Sequence, residues 1–268
     1  MFSASKYGPW ALITGGSEGV GASFARQLGA AAINVVLIAR KEGALADTAE
    51  QIRSESGVEV RTLSLDVSSA DMMQKIAALT DDIEVGLFVS NIGAVLCSGP
   101  FVDAKFEAVV RSVQLNPLAQ VALCHHFGKK MAARGRGGII IVGSMAGNAG
   151  GATMVVYGAN KAFAQNLAEG LWYELKPRGV DVLYMVLGAT DTPKRARQGF
   201  KDPPGLYVAP ADEVARDGLE NLDKGPVHVP KHMAADFARF SSLPRREAAE
   251  AMSKMLTGFD DSRTKVRS

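Results

Sequence analysis

Two kinds of hydrophobic segment alternate along this chain. Short, nearly continuous apolar runs rich in β-branched residues occur at Trp10–Thr14, Asn34–Ala39, Val58–Leu65, Val85–Ser90, Gly138–Gly143, Val180–Leu187 and Val227–Val229. Strands with no polar alternation are covered on both faces, as in a parallel sheet. Between them, apolar residues recur at three- and four-residue spacing over Ser23–Ala31, Glu42–Ser54, Asp71–Leu79, Phe106–Arg134 and Met154–Leu175, which predicts helices. The βαβα order predicts an α/β fold: a doubly wound parallel sheet of about seven strands with helices on both faces. No linker, composition shift or internal repeat divides the pattern, so one domain over residues 1–268 is expected.

Two stretches break the rhythm. Residues 194–210 hold Gly199, Pro203, Pro204, Gly205 and Pro210 beside Phe200, Leu206 and Tyr207. A long loop with apolar side chains reads as a substrate lid. Residues at about 232–260 form a helical extension of one or two short helices, with Met233, Phe237 and Phe240 on one face. That face suits packing on the sheet, packing on a second subunit, or a cap over the substrate.

Composition narrows the class. With 47% hydrophobic and 22% charged residues in 268, the chain can bury a sizeable core and is not a disordered or fibrous protein. Thirty Lys and Arg balance 28 Asp and Glu, so no electrostatic argument favours nucleic acid or an anionic membrane. No apolar run reaches the ~20 residues of a membrane span. The N-terminus lacks an apolar signal core. Cys97 and Cys124 are too few and too far apart for a metal site, and His125, His126, His228 and His232 form no ligand set. A reduced, soluble, cytoplasmic protein without a metal is expected.

The first strand runs into Thr14-Gly15-Gly16-Ser17-Glu18-Gly19-Val20-Gly21, and a helix follows. A strand, a glycine-rich turn and a helix N-terminus let backbone N–H groups approach a pyrophosphate. The spacing is T-G-x-x-x-G-x-G rather than G-x-G-x-x-G. The second strand ends at Ala39-Arg40-Lys41. A dinucleotide fold that holds an unphosphorylated ribose uses an acid at this point, whereas Arg40 suits a 2′-phosphate. A charge-assisted contact contributes about 1.5–3 kcal/mol, so NADP(H) is the expected cofactor.

With these turns the sequence resembles the short-chain dehydrogenase/reductase family, and further motifs of that family follow in its order. Asp66-Val67 follows the third strand. Ser90-Asn91-Ile92-Gly93 is similar to the family's N-N-A-G, with Ser90 in place of the first Asn. Asn116 lies in a long helix. Ser144 ends the fifth strand, and Tyr157-x-x-x-Lys161 comes thirteen residues later. Leu187-Gly188-x-x-x-Thr192 resembles P-G-x-x-x-T, with Leu187 in place of Pro. The branch with hydroxysteroid dehydrogenases and long-chain β-ketoacyl reductases is the most similar.

The resemblance implies a Rossmann-type domain with Asn116, Ser144, Tyr157 and Lys161 as catalytic residues. It implies a cofactor held by Gly15, Ser17, Glu18, Gly19, Val20, Gly21, Arg40, Asp66, Val67, Asn91, Gly93, Tyr157, Lys161, Gly188 and Thr192. Asp66 would meet the adenine, Asn116 would hold a water joining Lys161 to solvent, and the pro-S hydride would move. Residue chemistry agrees. Tyr157 and Lys161 are four apart and share a helix face. An ammonium beside a phenol, whose reference pKa is near 10, favours the phenolate. Tyr157 then serves as acid in reduction and base in oxidation, while Ser144 donates to the substrate oxygen.

Substrate contacts are expected from Ser144, Met145, Met154 and Tyr157, within a lining of Ala94, Val95, Leu96, Val155, Phe200, Leu206 and Tyr207. An apolar lining favours a hydrophobic ketone or secondary alcohol: a steroid, an aryl ketone or an acyl chain. The family's pairing of the helices at Phe106–Arg134 and Met154–Leu175 implies a homodimer or homotetramer, with Ala159, Ala162 and Ala168 permitting close approach. The rival readings are a non-catalytic NADP(H)-binding redox sensor or regulator on the same fold, a methyltransferase, and an enoyl reductase. The intact Ser144, Tyr157 and Lys161 set weighs against a sensor. Arg40 and the Tyr–Lys pair have no part in a methyltransferase, and enoyl reductases space Tyr and Lys more widely.

Overall fold

The computed structural model of the chain describes residues 2–198 and 205–264, with side chains for 2–197 and 205–257. A four-residue helix, α1 (Ala4–Tyr7), leads into β1 (Trp10–Thr14). There follow α2 (Gly19–Ala30), β2 (Asn34–Ala39), α3 (Glu42–Ser56), β3 (Val60–Ser64), α4 (Met72–Thr80) and β4 (Val85–Ser90). The second half contains α5 (Phe106–Val113), α6 (Ala119–Arg134), β5 (Gly137–Val142), α7 (Val155–Leu175) and β6 (Val180–Met185). Then come β7 (Thr190–Asp191), α8 (Pro193–Gln198), β8 (Ala209–Pro210), α9 (Ala211–Asn221), β9 (Val227–His228), α10 (Ala234–Ser242) and α11 (Arg245–Thr264).

Seven strands form one parallel sheet in the order β3-β2-β1-β4-β5-β6-β9, as the continuous apolar runs predict. Successive side chains of a strand face opposite sides, and here each side meets a helical layer. Leu12, Val36, Phe88, Ile141 and Val182 pack with α4, α6 and α7 through Ile76, Phe127 and Ala168. Ala11, Ile13, Leu37, Val89 and Ile140 pack with α2, α3 and α9 through Phe24, Ile52 and Leu219. All of β1, β4 and β5 is buried, which removes the need for polar residues on either face.

Strand order reverses between β1 and β4, which lie side by side with Thr14 opposite Ser90. Loops leaving neighbouring strands in opposite directions open a crevice at such a switch point. The Thr14 hydroxyl stitches the two ends, accepting from the Asn91 N–H at 3.2 Å. Gly15, Asn91 and Ser144 follow the ends of β1, β4 and β5 at this edge.

Four elements differ from the sequence expectation. The predicted helix at Phe106–Arg134 is interrupted by a wider, π-type turn over Gln114–Leu118. Pro117 has no N–H and crowds the preceding turn, so regular α-helix cannot run through it. The expected loop from residue 194 begins as α8, capped by Thr192, whose hydroxyl accepts from the Arg195 N–H at 3.2 Å. The proposed lid residues Gly199, Phe200, Pro203 and Pro204 lie outside the described residues. Helix α9 was not anticipated, since its buried face is made of Val214, Ala215, Gly218 and Leu219. The C-terminal extension is longer than two short helices. Its Met233, Phe240, Met252 and Leu256 join the same core as Met145 and Met154. Among the described residues no helix is long and apolar enough to cross a membrane.

Candidate active site

A cleft of about 540 Å³ opens over the C-terminal ends of β1, β2, β4, β5 and β6. Its floor at one end is the Gly15–Gly21 turn. Gly15 has φ +69°, the left-handed region that glycine enters at no cost. A Cβ on Gly21 would overlap the Gly15 carbonyl oxygen. The turn is therefore drawn close to the start of α2, whose first N–H groups face the cleft. Asn91 holds the turn from β4, its amide donating to the Gly15 carbonyl at 3.2 Å. Ser17, Glu18, Gly19 and Val20 line this end with Arg40 and Lys41, and Val67 lines the side. Arg40 is exposed at the rim.

Glu18 is the acid of this end. It pairs with Arg197 of α8 at 2.5 Å and with Lys41 at 3.7 Å. The Arg197 bond holds its carboxyl below the usual range. The Asp66 carboxylate is turned toward Ser68 and Arg111, accepting at 2.7 Å and 2.9 Å. Burial pushes it up, but these donors hold it below its ordinary value.

At the other end, Ser144, Tyr157 and Lys161 line one wall together with Gly93, Ala94, Val95, Leu115 and Gly188. Ser144 leaves β5 in extended conformation and caps a single tight turn over Met145–Gly147. That turn rests directly on α7. A Cβ on Gly147 would lie 2.8 Å from the Lys161 carbonyl carbon, so glycine lets the two backbones touch. The contact brings the Ser144 side chain to the Tyr157 phenol.

Burial dominates the phenol and pushes it above its ordinary value, while Ser144 opposes the rise. This departs from the expectation that Lys161 lowers the phenol. The Lys161 ammonium is 5.8 Å from the Tyr157 ring centre and donates to the Val142 carbonyl at 2.8 Å. Burial, with some repulsion from Lys194, lowers Lys161 to about 8. Lys194 stands over the mouth, donating to the Gly93 carbonyl at 3.3 Å.

Asn116 sits in the π-type turn. Its amide donates to the Ser112 carbonyl at 2.8 Å. Its Oδ1 is buried without a hydrogen-bond partner among the described protein groups, the kind of acceptor that a buried water satisfies. Asn160, next to Lys161, donates to the same Ser112 carbonyl at 3.2 Å.

Not every expected residue reaches the cleft. Met145 and Met154 are 6% and 7% exposed and lie in the core with Met252 and Leu256, not on the cleft wall. Val155 is exposed on α7, and Tyr207 donates to Glu213 at 2.7 Å with its ring against His232. Sequence reasoning missed Asn160 and Tyr184; Lys194 it placed in the lid only as a cation able to reach a substrate carboxylate. Tyr184 carried a signal, being the single aromatic residue in β6.

Comparison with known proteins assigns the class. A family model described as short chain dehydrogenase matches residues 9–201, and the chain belongs to the short-chain dehydrogenase/reductase family. It is an oxidoreductase of a family that works with a nicotinamide dinucleotide. It is 34% identical over 223 residues to a 7beta-hydroxysteroid dehydrogenase of Collinsella aerofaciens, covering 82% of this chain and 84% of the relative. A solved 7beta-hydroxysteroid dehydrogenase superposes with a TM-score of 0.85 at 28% identity, covering 94% of this chain and 99% of the other. A short-chain dehydrogenase from Sphingobium yanoikuyae, solved in complex with NADPH, has a TM-score of 0.76 at 32% identity, covering 88% and 97%.

Proposed function

We propose that this chain is an NADP(H)-dependent oxidoreductase that interconverts a hydrophobic ketone and its secondary alcohol. The observation that carries the reading is the meeting of Ser144, Tyr157 and Lys161 on one wall of a cleft that also holds the glycine turn. Residues Gly15 to Gly21 would cradle the pyrophosphate, since Gly15, Ser17, Glu18, Gly19 and Val20 line the cleft at that end. Arg40 would meet a 2′-phosphate, and Asp66 and Val67 the adenine end. Asn91, Gly93 and Lys161 would hold the nicotinamide ribose, with Gly188 and Thr192 beside the ring. When bound, the dinucleotide supplies the hydride.

The protein's own part is proton and charge. Ser144 donates to the substrate oxygen as it gains charge. Tyr157, kept protonated by burial, delivers its proton to the nascent alkoxide, which suits the reductive direction. Lys161 and Asn116 return a proton to the phenol through water. Support for a steroid substrate comes from the 7beta-hydroxysteroid relatives and from the apolar Ala94, Val95 and Leu115. Ser144 and Tyr157 would face the substrate, backed by the buried Met145 and Met154.

A panel of steroid, aryl and acyl ketones offered with NADPH, followed at the nicotinamide absorbance, tests the reading. Turnover of the bulky apolar members is expected. Activity confined to small charged sugars would overturn the assignment of substrate.

Cofactor choice is tested separately. Arg40→Asp removes one charge-assisted contact and adds repulsion. The NADPH-to-NADH ratio of kcat/KM should fall by about ten- to a hundredfold or more. An unchanged ratio would mean that the 2′-phosphate is read elsewhere.

Assembly as a homodimer or homotetramer is part of the same proposal. Phe106 of α5 and Tyr173 of α7 are 74% and 77% exposed. Ala159 and Ala162 are exposed on α7, but Ala168 is buried in its own core and is not available to a partner.

A further inference from the structure

Tyr184 in β6 is fully buried beneath the site, yet its hydroxyl is engaged with backbone rather than lost in the core. The Ser144 N–H donates to it at 3.1 Å. The hydroxyl in turn faces the Lys161 carbonyl at 3.2 Å and the Ser144 carbonyl at 3.3 Å. A phenol has one proton and can accept, so it takes the Ser144 amide and donates to one carbonyl at a time. Room for the ring is made by Gly143, where a Cβ would overlap Cζ and the hydroxyl. Gly143 and Tyr184 are thus a matched pair across β5 and β6.

We infer that Tyr184 is a positioning residue, whose hydroxyl ties the backbone of Ser144 to that of Lys161 and so sets the Ser144 side chain against Tyr157. The inference rests on the roles proposed above for those three residues. Burial holds the Tyr184 phenol far above its ordinary value, so it remains a fixed donor at working pH. Removing it leaves the Ser144 N–H unpaired and frees the turn to shift. Ser144 is the group that opposes the rise of Tyr157. Its displacement therefore raises the Tyr157 phenol further, an effect that simple loss of stability does not produce.

The test compares Tyr184→Phe with Tyr7→Phe and Tyr157→Phe in the full-length enzyme. Tyr7 donates to Asp181 at the other end of β6, at 2.5 Å, and serves as a buried-phenol control away from the cleft. Tyr184→Phe is expected to keep NADPH binding, to lower kcat for ketone reduction about fivefold or more, and to leave KM nearly unchanged. The acid-side limb of the alcohol-oxidation profile, where Tyr157 must lose its proton to act as base, should move to higher pH. Tyr7→Phe should lose stability without moving kcat or that limb. Wild-type kcat and an unmoved limb in Tyr184→Phe would overturn the inference, as would an equal kcat loss in Tyr7→Phe. Near-normal turnover in Tyr157→Phe would remove the underlying reading, and the inference with it. Should Tyr184→Phe not fold, Tyr184→Met enters the same assays. Slow hydrogen exchange of the Ser144 amide is expected in the wild-type protein; exchange at the rate of an open loop would also overturn the clamp.

Discussion

Tyr157→Phe will lower kcat for ketone reduction by about 10²- to 10⁴-fold, the range supplied by a positioned acid or base. Phenylalanine keeps the ring and its packing on α7 and deletes only the proton donor. Binding of NADPH, measured by fluorescence or calorimetry, should stay within a few-fold of the wild type, because the glycine turn and Arg40 are untouched. This split separates an enzyme from a cofactor-binding sensor. A sensor would lose nothing measurable on the chemical step. The reductive profile should be flat at neutral pH and fall only at alkaline pH, since burial keeps the phenol protonated beyond its usual value. A variant with near-normal kcat would show that the proton comes from another group.

The second large effect has two opposite signs. Lys161→Met should reduce turnover to the level of Tyr157→Phe, yet it should make the cofactor-free protein more stable at pH 7. Lys161 is 5% exposed, and burial depresses it from 10.5 to about 8. One pKa unit corresponds to about 1.4 kcal/mol, so the buried charge costs roughly 3 kcal/mol below pH 8. Loss of the bond to the Val142 carbonyl returns about 1 kcal/mol of that. A net gain of about 2 kcal/mol in urea unfolding is expected. Between pH 8 and 10.5 the unfolded chain still holds the lysine proton while the folded chain has released it. Wild-type stability from this group therefore rises with pH across that window, and the advantage of the methionine variant shrinks. An advantage that stayed constant from pH 7 to 10 would mean that Lys161 titrates normally.

Much of this is legible in the amino-acid sequence. The parallel sheet followed from runs such as Val35–Ile38, whose lack of polar alternation requires cover on both sides. The Ser144, Tyr157 and Lys161 set came from the family resemblance, and spacing added only that Tyr157 and Lys161, four apart, share a helix face. Other features depend on packing, which spacing does not encode. The break at Pro117 needed the tertiary fit of α5 and α6 to become a π-type turn rather than a helix end. Met145 and Met154 are apolar residues near the site, and only the seat of α11 decides that they face the core. The raised Tyr157 was not legible either. The rise comes from burial of the phenol, with Ser144 opposing it, and neither depth nor that contact is written in the spacing. Helix α9 hid behind small residues, because Ala215 and Gly218 give a weak hydrophobic period.

The stitch between Thr14 and Asn91 bears on how the molecule comes together. The glycine turn is held by a partner 76 residues downstream, and the opposite wall arrives only with Ser144 and Lys161. A nascent chain that has released α2 and β2 owns the phosphate loop in sequence but lacks what shapes it. Long-range closures of this kind slow folding. Competence to capture a dinucleotide should therefore emerge late, when the central strands dock, and a fragment ending before β4 would be inert.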